Sequence, residues 1–306
     1  MNFKNYDEAS LYFKNEDVCR DMLAKSRWPD GKAVCPKCGE KGAYSYANGK
    51  WYKCKAKVCK ARFSVTVGTM FENTKLPLRT WYLAIWLITA HKKGISSLQL
   101  SRDLGIGQKA AWFVLHRIRE MMVDKMPEKL NTIVEVDETW VGGKVANMNK
   151  KKRAYWAERG NENKTLVMGM VERGGKAKLK IIGRDSFKDV VKEHVDQSAV
   201  VFTDTHGSYV GLDQHFEAHE SVNHSLNEYK RGDVTTNSVE GFFACFKRSL
   251  LGCYHQVSKK HLERYCVETA YRYTNRTITD KERFQMTINQ VSGRLKWKDL
   301  IDAKKR

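Results

Sequence analysis

The spacing of apolar residues divides the chain into regions that predict helices and regions that predict strands. Apolar positions recur at helical intervals over residues 3–27, 78–92 and 108–122, where they predict helices. From residue 131 onward, alternating and continuous apolar runs predict strands, at residues 132–141, 165–172, 178–183 and 199–203. Further helices are predicted at residues 187–195, 237–250 and 259–275. Strands first, a strand–helix unit next and helices last indicate a mixed α/β fold with a mixed sheet flanked by helices.

Four of the eight cysteines form a tight group ahead of this region: Cys35, Cys38, Cys54 and Cys59. Two residues separate the first pair, fifteen follow, and four separate the second pair. Four thiolates at such spacing bind Zn²⁺ tetrahedrally, and so small a module needs the metal to fold. Coincidentally buried thiols are the alternative, but a reducing cytosol favours metal. We predict one structural zinc ion; such ribbons bind protein as often as DNA.

Residues 96–122 have the pattern of two helices joined by a tight turn. Gly105 can supply the positive φ of that turn, and the second helix carries an apolar stripe on one side. A helix-turn-helix that places its second helix in the major groove is one interpretation, and a hairpin that only packs is the other. Under the first, we expect these basic residues to face phosphates: Lys109, Arg117 and Arg119.

The charge of the chain favours the DNA interpretation. Fifty-five Lys and Arg residues against 35 Asp and Glu give a formal charge of +20, which indicates a polyanionic partner. A basic run, predicted as a loop, either is solvated or contacts DNA: Lys150, Lys151, Lys152 and Arg153. No apolar run approaches the roughly 18 residues that span a bilayer. The first residues lack a signal-peptide core, so we expect a cytoplasmic protein, associated with the nucleoid if prokaryotic, and no membrane partner.

Three acidic residues occupy positions where metal chemistry is common. Asp137 lies late in an apolar strand, and Asp204 directly follows another; either could instead cap a turn. Glu240 lies on a predicted helix, with Lys247 two turns further along the same face. The alternative for Glu240 is a capping box, with Asn237 as the N-cap.

Taken together, these motifs resemble insertion-sequence transposases of the DDE type, in the group with an N-terminal zinc ribbon and a lysine after the final acid. The resemblance rests on ordered segments that span most of the chain: residues 27–31, 63–69, 136–139, 222–225, 237–243 and 261–265. It implies an RNase H-like catalytic domain that uses two Mg²⁺ ions. Asp137 would bridge both ions, Asp204 and Glu240 would each hold one, and Lys247 would contact a phosphate.

The resemblance also implies a domain order and partners. We expect an N-terminal helix and zinc ribbon over residues 1–72, a helix-turn-helix domain over residues 73–128, and the catalytic domain with C-terminal helices over residues 129–306. The expected partners are the terminal repeats of the element, target DNA and further copies of the chain. Arg248 is a further expected DNA contact, and His224 is the histidine expected nearest the active site. Two other functions stay open: a non-catalytic DNA-binding regulator and a structure-selective nuclease of the same fold.

Overall fold

A computed structural model describes residues 3–157, 159, 163–183, 186–223, 226, 228 and 230–302. The chain forms two compact units, one from Met1–Val123 with Thr277–Arg306 and the other from Asp124–Arg276. The last thirty residues therefore group with the N-terminal half, although the sequence pattern assigned them to the domain that begins at residue 129. The assignment of three functional domains stays a prediction.

The helices and strands are numbered in chain order. The helices are α1 (Tyr6–Tyr12), α2 (Glu16–Arg27), α3 (Leu78–Ala90), α4 (Ser97–Leu104), α5 (Gln108–Met121), α6 (Lys150–Ala157), α7 (Phe187–His194), α8 (Asn237–Ser249), α9 (Lys259–Thr274), α10 (Asp280–Asn289) and α11 (Trp297–Ile301). The strands are β1 (Tyr44–Tyr46), β2 (Trp51–Lys53), β3 (Arg62–Phe63), β4 (Ile133–Val141), β5 (Thr165–Glu172), β6 (Ala177–Ile182), β7 (Val200–Asp204) and β8 (Ala218–Val222). None of the described helices is both long and apolar enough to cross a membrane.

The first unit combines helices with a three-stranded antiparallel sheet, β1-β2-β3. The single helix predicted over residues 3–27 is wrong, because the chain restarts at Asn15, whose side chain accepts the backbone N–H of Asp17 and caps α2. A cluster of buried aromatic rings forms the core of this unit, including Phe3, Phe13 and Phe284. Phe284 lies on α10, which packs against α3, so this C-terminal helix completes the core.

Helices α4 and α5 have the predicted turn between them. Gly105 ends α4 with a φ of 63°, a left-handed conformation that glycine adopts without a Cβ clash. The predicted apolar stripe of α5 is buried: Ala111, Val114, Leu115 and Ile118. The pattern therefore predicted the packing of this helix pair correctly, and its role in DNA binding stays a prediction.

The second unit is a five-stranded mixed sheet in the order β6-β5-β4-β7-β8. Strand β4 lies at its centre, antiparallel to β5 and parallel to β7. Alternation along β4 separates two cores: Val134 and Val136 pack with α7, whereas α8 and α9 contact the opposite face of the sheet. The predicted mixed α/β fold is confirmed. Strand β8 was not predicted.

A glycine on β5 lets α8 approach the sheet closely. Gly169 pairs with Asp137 on β4, and a Cβ at this glycine would lie 2.7 Å from the ring of Phe243 and 3.0 Å from Val239. We expect Gly169→Ala to lower the free energy of unfolding by about 1–3 kcal/mol, because the buried Phe243 ring must move. Chemical denaturation measures this change. Gly183→Ala is the matched control, since a Cβ there meets nothing within 4 Å. Equal stability of the two variants would contradict the close packing.

Candidate active site and zinc cluster

Two of the predicted acids, Asp137 and Asp204, lie on one face of the sheet just beyond the paired residues of β4 and β7. Glu135 on β4 pairs with Phe202 on β7 in parallel register, so Asp137 and Asp204, each two residues further on, point to the same face. Asp204 is the last residue of β7. That face is the one covered by α8, which carries Glu240. The fold thus brings the elements that carry the three predicted acids to one side of the sheet.

Glu240 projects from the first turn of α8 and is exposed to solvent. The helix begins at Asn237 with Thr236 as its N-cap, so the alternative that made Asn237 the N-cap of a capping box is wrong. One carboxylate oxygen of Glu240 accepts the Thr236 hydroxyl at 3.0 Å. The side chain is therefore turned towards the start of its own helix.

Asp137, Asp204 and Glu240, which we call the acidic cluster, are near enough for the charges of the latter two to act on Asp137. Burial raises the pKa of Asp137 to about 7, a hydrogen bond from the Glu138 N–H acts in the opposite direction, and the negative charges of Glu138, Asp204 and Glu240 raise that pKa further. Like charges gathered in this way cost free energy when all are ionised. A divalent cation bound among them removes this cost, and carboxylate oxygens are the ligands that Mg²⁺ prefers. The oxygen donors therefore fit Mg²⁺ in kind, although the three carboxylates are not drawn as close together as the four cysteine sulfur atoms described below.

The sequence pattern did not identify a buried carboxylate beside this cluster. Glu135 has no solvent exposure, and its Oε1 accepts the Arg173 Nε at 2.7 Å. Its Oε2 accepts the backbone N–H groups of Ser238 at 2.6 Å and Val239 at 3.2 Å, both in the first turn of α8. A charged residue inside an apolar strand was the available signal. Its partners lie 38 and about 100 residues away in the chain, so their identity could not be predicted.

Glu138, the residue after Asp137, lies on the opposite face of β4. Its carboxylate accepts the Tyr209 hydroxyl at 2.5 Å and lies 3.8 Å from Nδ1 of His206. Burial raises the pKa of Glu138, although the hydrogen bond from Tyr209 opposes the shift. Burial of the Tyr209 phenol and the negative charge of Glu138 both raise the pKa of Tyr209. This pair fixes the loop after β7 against the strand that carries Asp137.

The four predicted zinc ligands converge in the first unit. The sulfur atoms of Cys35, Cys38, Cys54 and Cys59 all lie within 4.8 Å of one another. The Cys35–Cys59 and Cys38–Cys54 sulfur atoms are 3.8 Å and 3.5 Å apart. A Zn²⁺ ion with bonds of about 2.3 Å requires tetrahedral edges of roughly 3.8 Å, so the cluster has the size of a zinc site. Within the described part of the chain, no other group of three or more potential ligands is drawn this close.

Comparison with known families matches two regions of the chain. Residues 129–274 match the ISXO2-like transposase domain family, and residues 14–62 match the transposase zinc-ribbon domain family. The chain carries an ISXO2-like transposase domain preceded by a transposase zinc-ribbon domain. The two matched regions contain the acidic cluster and the cysteine cluster, respectively.

Two relatives of this transposase support the assignment. The chain is 27% identical over 269 residues to an uncharacterized protein in transposable element ISH50 of Halobacterium salinarum, an alignment that covers 83% of this chain and 89% of the relative. It is also 29% identical over 106 residues to an uncharacterized transposase-like protein of Haemophilus influenzae, covering 35% of this chain and 83% of the relative. The zinc ribbon and the four-cysteine cluster together support a structural zinc ion in the transposase.

Two of the basic residues expected on DNA are instead buried in the transposase. Arg117 is 5% exposed and donates to the carbonyl groups of Met70 and Leu295, while Arg119 is 1% exposed. The expectation that both face phosphates is wrong, because their guanidinium groups are packed inside the first unit. Helical periodicity alone could not separate them from exposed cations on the same helix, such as Lys109.

The remaining candidate DNA contacts are exposed: Lys109, Lys150, Lys151, Lys152, Arg153, Lys247 and Arg248. Four of them lie on α6, so the loop predicted for this basic run is wrong; the run forms a helix. A helix presents its cations at a fixed spacing of 1.5 Å per residue, whereas a loop does not.

The histidines after Asp204 do not form a second metal cluster among the residues that the structure describes. His219 is half-buried and its Nε2 lies 2.9 Å from the Thr203 hydroxyl; burial lowers the pKa of this imidazole. The Asp204 carboxylate accepts the backbone N–H of His206 at 3.0 Å, so this acid also caps the turn after β7. His224 lies outside the described residues.

Proposed function

We propose that this transposase cuts and rejoins DNA at the ends of an insertion sequence, with Asp137, Asp204 and Glu240 as the ligands of two catalytic Mg²⁺ ions. The observation that carries this proposal is the shared electrostatic environment of the three acids on one face of the central strands. The family assignment supports the reaction class. A structural ion pair does not account for Asp137, because its charged neighbours Glu138, Asp204 and Glu240 are acids that raise the pKa of its carboxyl group.

Each residue has a definite task in the proposed reaction. Asp137 would hold both Mg²⁺ ions, and Asp204 and Glu240 would each hold one. Glu240, which accepts a hydrogen bond from Thr236, would be free to do so once that contact is released. Bound Mg²⁺ supplies activation of a water or 3′-hydroxyl and stabilisation of the departing oxygen at a phosphodiester. Lys247, exposed two turns along α8, contacts a phosphate of the cut strand.

DNA is the proposed partner, both as element ends and as target. The charge of +20 supports this, as do the exposed cations of α5, α6 and α8. The zinc ribbon and the α4–α5 pair would hold the element ends, and the second unit would carry out the reaction. Joining of two ends requires two active sites, so we propose that copies of the chain assemble on DNA.

A strand-transfer assay tests the proposed function. Labelled oligonucleotides of the element end are incubated with the transposase, plasmid target and Mg²⁺. We expect nicking at the element end and joining of the freed 3′ end to target, both dependent on Mg²⁺. Cleavage without regard to end sequence and without joining would indicate a nuclease. Binding without any Mg²⁺-dependent cleavage would indicate a regulator, and either result would overturn the proposal.

A further inference from the structure

The elements that carry the three acids meet at one partly buried ion pair, between Glu135 and Arg173. Glu135 lies on β4 two residues before Asp137 and receives Arg173, which also donates to the Thr235 carbonyl at 3.3 Å, just before α8. The Arg173 guanidinium lies 4.9 Å from the centre of the Phe202 ring, two residues before Asp204. This ion pair thus contacts β4, β7 and the start of α8. On β4 and β7, the contacts lie two residues before Asp137 and Asp204.

Glu135 supplies the cap that α8 lacks. The N-cap residue Thr236 makes no side-chain capping hydrogen bond, yet the first N–H groups of a helix need acceptors when they are buried. The Glu135 carboxylate accepts two of them and also the Ser238 hydroxyl at 3.0 Å. An anion at a helix N-terminus also interacts favourably with the helix dipole. The start of α8 is therefore fastened to β4 by charge as well as by packing.

We propose that Glu135 is a positioning residue that sets the distance of the Glu240 carboxylate from Asp137 and Asp204. This role rests on the proposed function, because it matters only if the three acids share metal ions. Glu240 lies one residue beyond the N–H groups that Glu135 holds. A displacement of about 1 Å at a catalytic group reduces a rate by about 100-fold. Loss of the Glu135 charge should therefore change the Mg²⁺ requirement for cleavage and leave DNA affinity unchanged.

The test is Glu135→Gln, which keeps the side-chain size but removes the charge and one acceptor. We expect the Mg²⁺ concentration for half-maximal cleavage to rise about 10-fold and the maximal rate to fall about 10- to 100-fold, with DNA affinity unchanged. Glu268→Gln is the matched control, because Glu268 is 1% exposed and forms an ion pair with Arg272 on α9. That variant loses a buried ion pair but keeps the wild-type Mg²⁺ requirement.

Ser238→Ala keeps the test decisive if Glu135→Gln does not fold. It removes one hydrogen bond from the α8 side and leaves the ion pair intact, so we expect a smaller rise in the Mg²⁺ requirement, of about 3-fold. An unchanged Mg²⁺ requirement in the folded variants would overturn the positioning role alone. Absence of cleavage by the unaltered chain would overturn the proposed function and this role with it.

A separate observation concerns the open side of the zinc ribbon. Cross-strand pairing places Tyr44 opposite Lys53, Tyr46 opposite Trp51, and Lys53 opposite Arg62, so these five side chains share one face of the sheet. We call this set the aromatic face. Its three rings are 41–64% exposed, whereas Tyr52 and Phe63 on the other face are buried and stacked.

The charge of the ribbon indicates what covers the aromatic face. Nine Lys and Arg residues lie within residues 32–62 against one acid, Glu40. Exposed rings on a flat sheet, surrounded by cations, suit a DNA strand, because phosphates meet the cations and unpaired bases stack on the rings. Bases in intact duplex are already stacked on their neighbours and offer only their edges. We infer that the aromatic face binds unpaired bases of a frayed or cut DNA end.

Fluorescence anisotropy without Mg²⁺ tests this independently of catalysis, with the full chain and two oligonucleotides, a blunt duplex and the same duplex with a 3′ overhang. We expect the unaltered chain to prefer the overhang. Trp51→Ala should weaken overhang binding about 10-fold, as for loss of one stacked base, and leave blunt-duplex binding within about 2-fold. Val58→Ala, a fully exposed apolar position of the same ribbon, is the matched control and should change neither.

Several outcomes would overturn the inference. Equal weakening for both DNAs would assign Trp51 to duplex binding. Unchanged DNA affinities, with loss of concentration-dependent self-association in Trp51→Ala, would assign the aromatic face to a second copy of the chain. Failure of the unaltered chain to bind either DNA would overturn this inference and the proposed DNA partner together.

Discussion

Replacing Asp204 by asparagine is expected to reduce cleavage of element ends by about 1000-fold or more while leaving DNA affinity unchanged. The substitution keeps the size of the side chain and its ability to accept the His206 N–H, but removes the charge that binds metal. Loss of several kcal/mol of transition-state stabilisation corresponds to such a factor. Single-turnover cleavage and anisotropy titration on the same end oligonucleotide measure the two properties.

The control for this experiment is Asp213→Asn. Asp213 is exposed in a 3₁₀ turn nine residues beyond Asp204, so its replacement makes the same change of charge away from the acidic cluster. It should cleave within about 2-fold of the unaltered chain, since a surface charge has little effect at a distance in salt. Full activity of Asp204→Asn would remove Asp204 from the catalytic set.

The second large effect is expected at the zinc cluster. Cys54→Ser should reduce bound zinc from about one ion per chain to almost none and expose the amides of β1, β2 and β3 to rapid hydrogen exchange. Metal binding contributes on the order of 10 kcal/mol to folding in isolated zinc modules, more than so small a sheet gains from its own core. Elemental analysis and hydrogen exchange measure the two consequences.

An exposed cysteine outside the cluster provides the matched control. Cys245 lies on α8, so Cys245→Ser should retain one zinc ion per chain and normal protection of the ribbon amides. Retention of zinc and of amide protection by Cys54→Ser would contradict the four-thiolate site.

The parts of the fold that were predictable are those with a strong local pattern. Strands β4, β5, β6 and β7 were predicted to within about a residue or two, because each carries a continuous or alternating apolar run. The edge strand β8, with His219 and Glu220 among its five residues, has no such run and is defined by its pairing with β7. Local sequence does not contain that information.

The candidate sites show the same distinction between what a local pattern predicts and what tertiary contacts decide. The cysteine cluster was predictable from the number and spacing of its residues, and the three acids were selected as candidates because their chemistry, order and spacing resemble a family pattern. Glu135 was not, because its role depends on Arg173 and on the start of α8, which only the folded chain brings near. Arg117 and Arg119 were assigned to the wrong environment for a related reason. A long cationic side chain can extend to solvent or donate to buried carbonyl groups, and tertiary packing decides between them.

Anomalous scattering from Mn²⁺ in crystals of the transposase bound to element-end DNA tests the central claim most directly. The account predicts two Mn²⁺ peaks about 4 Å apart, with Asp137 bonded to both and Glu240 released from Thr236 to bond one of them. Crystals without peaks beside Asp137, or with metal bound there while Glu240 keeps its contact with Thr236, would contradict it.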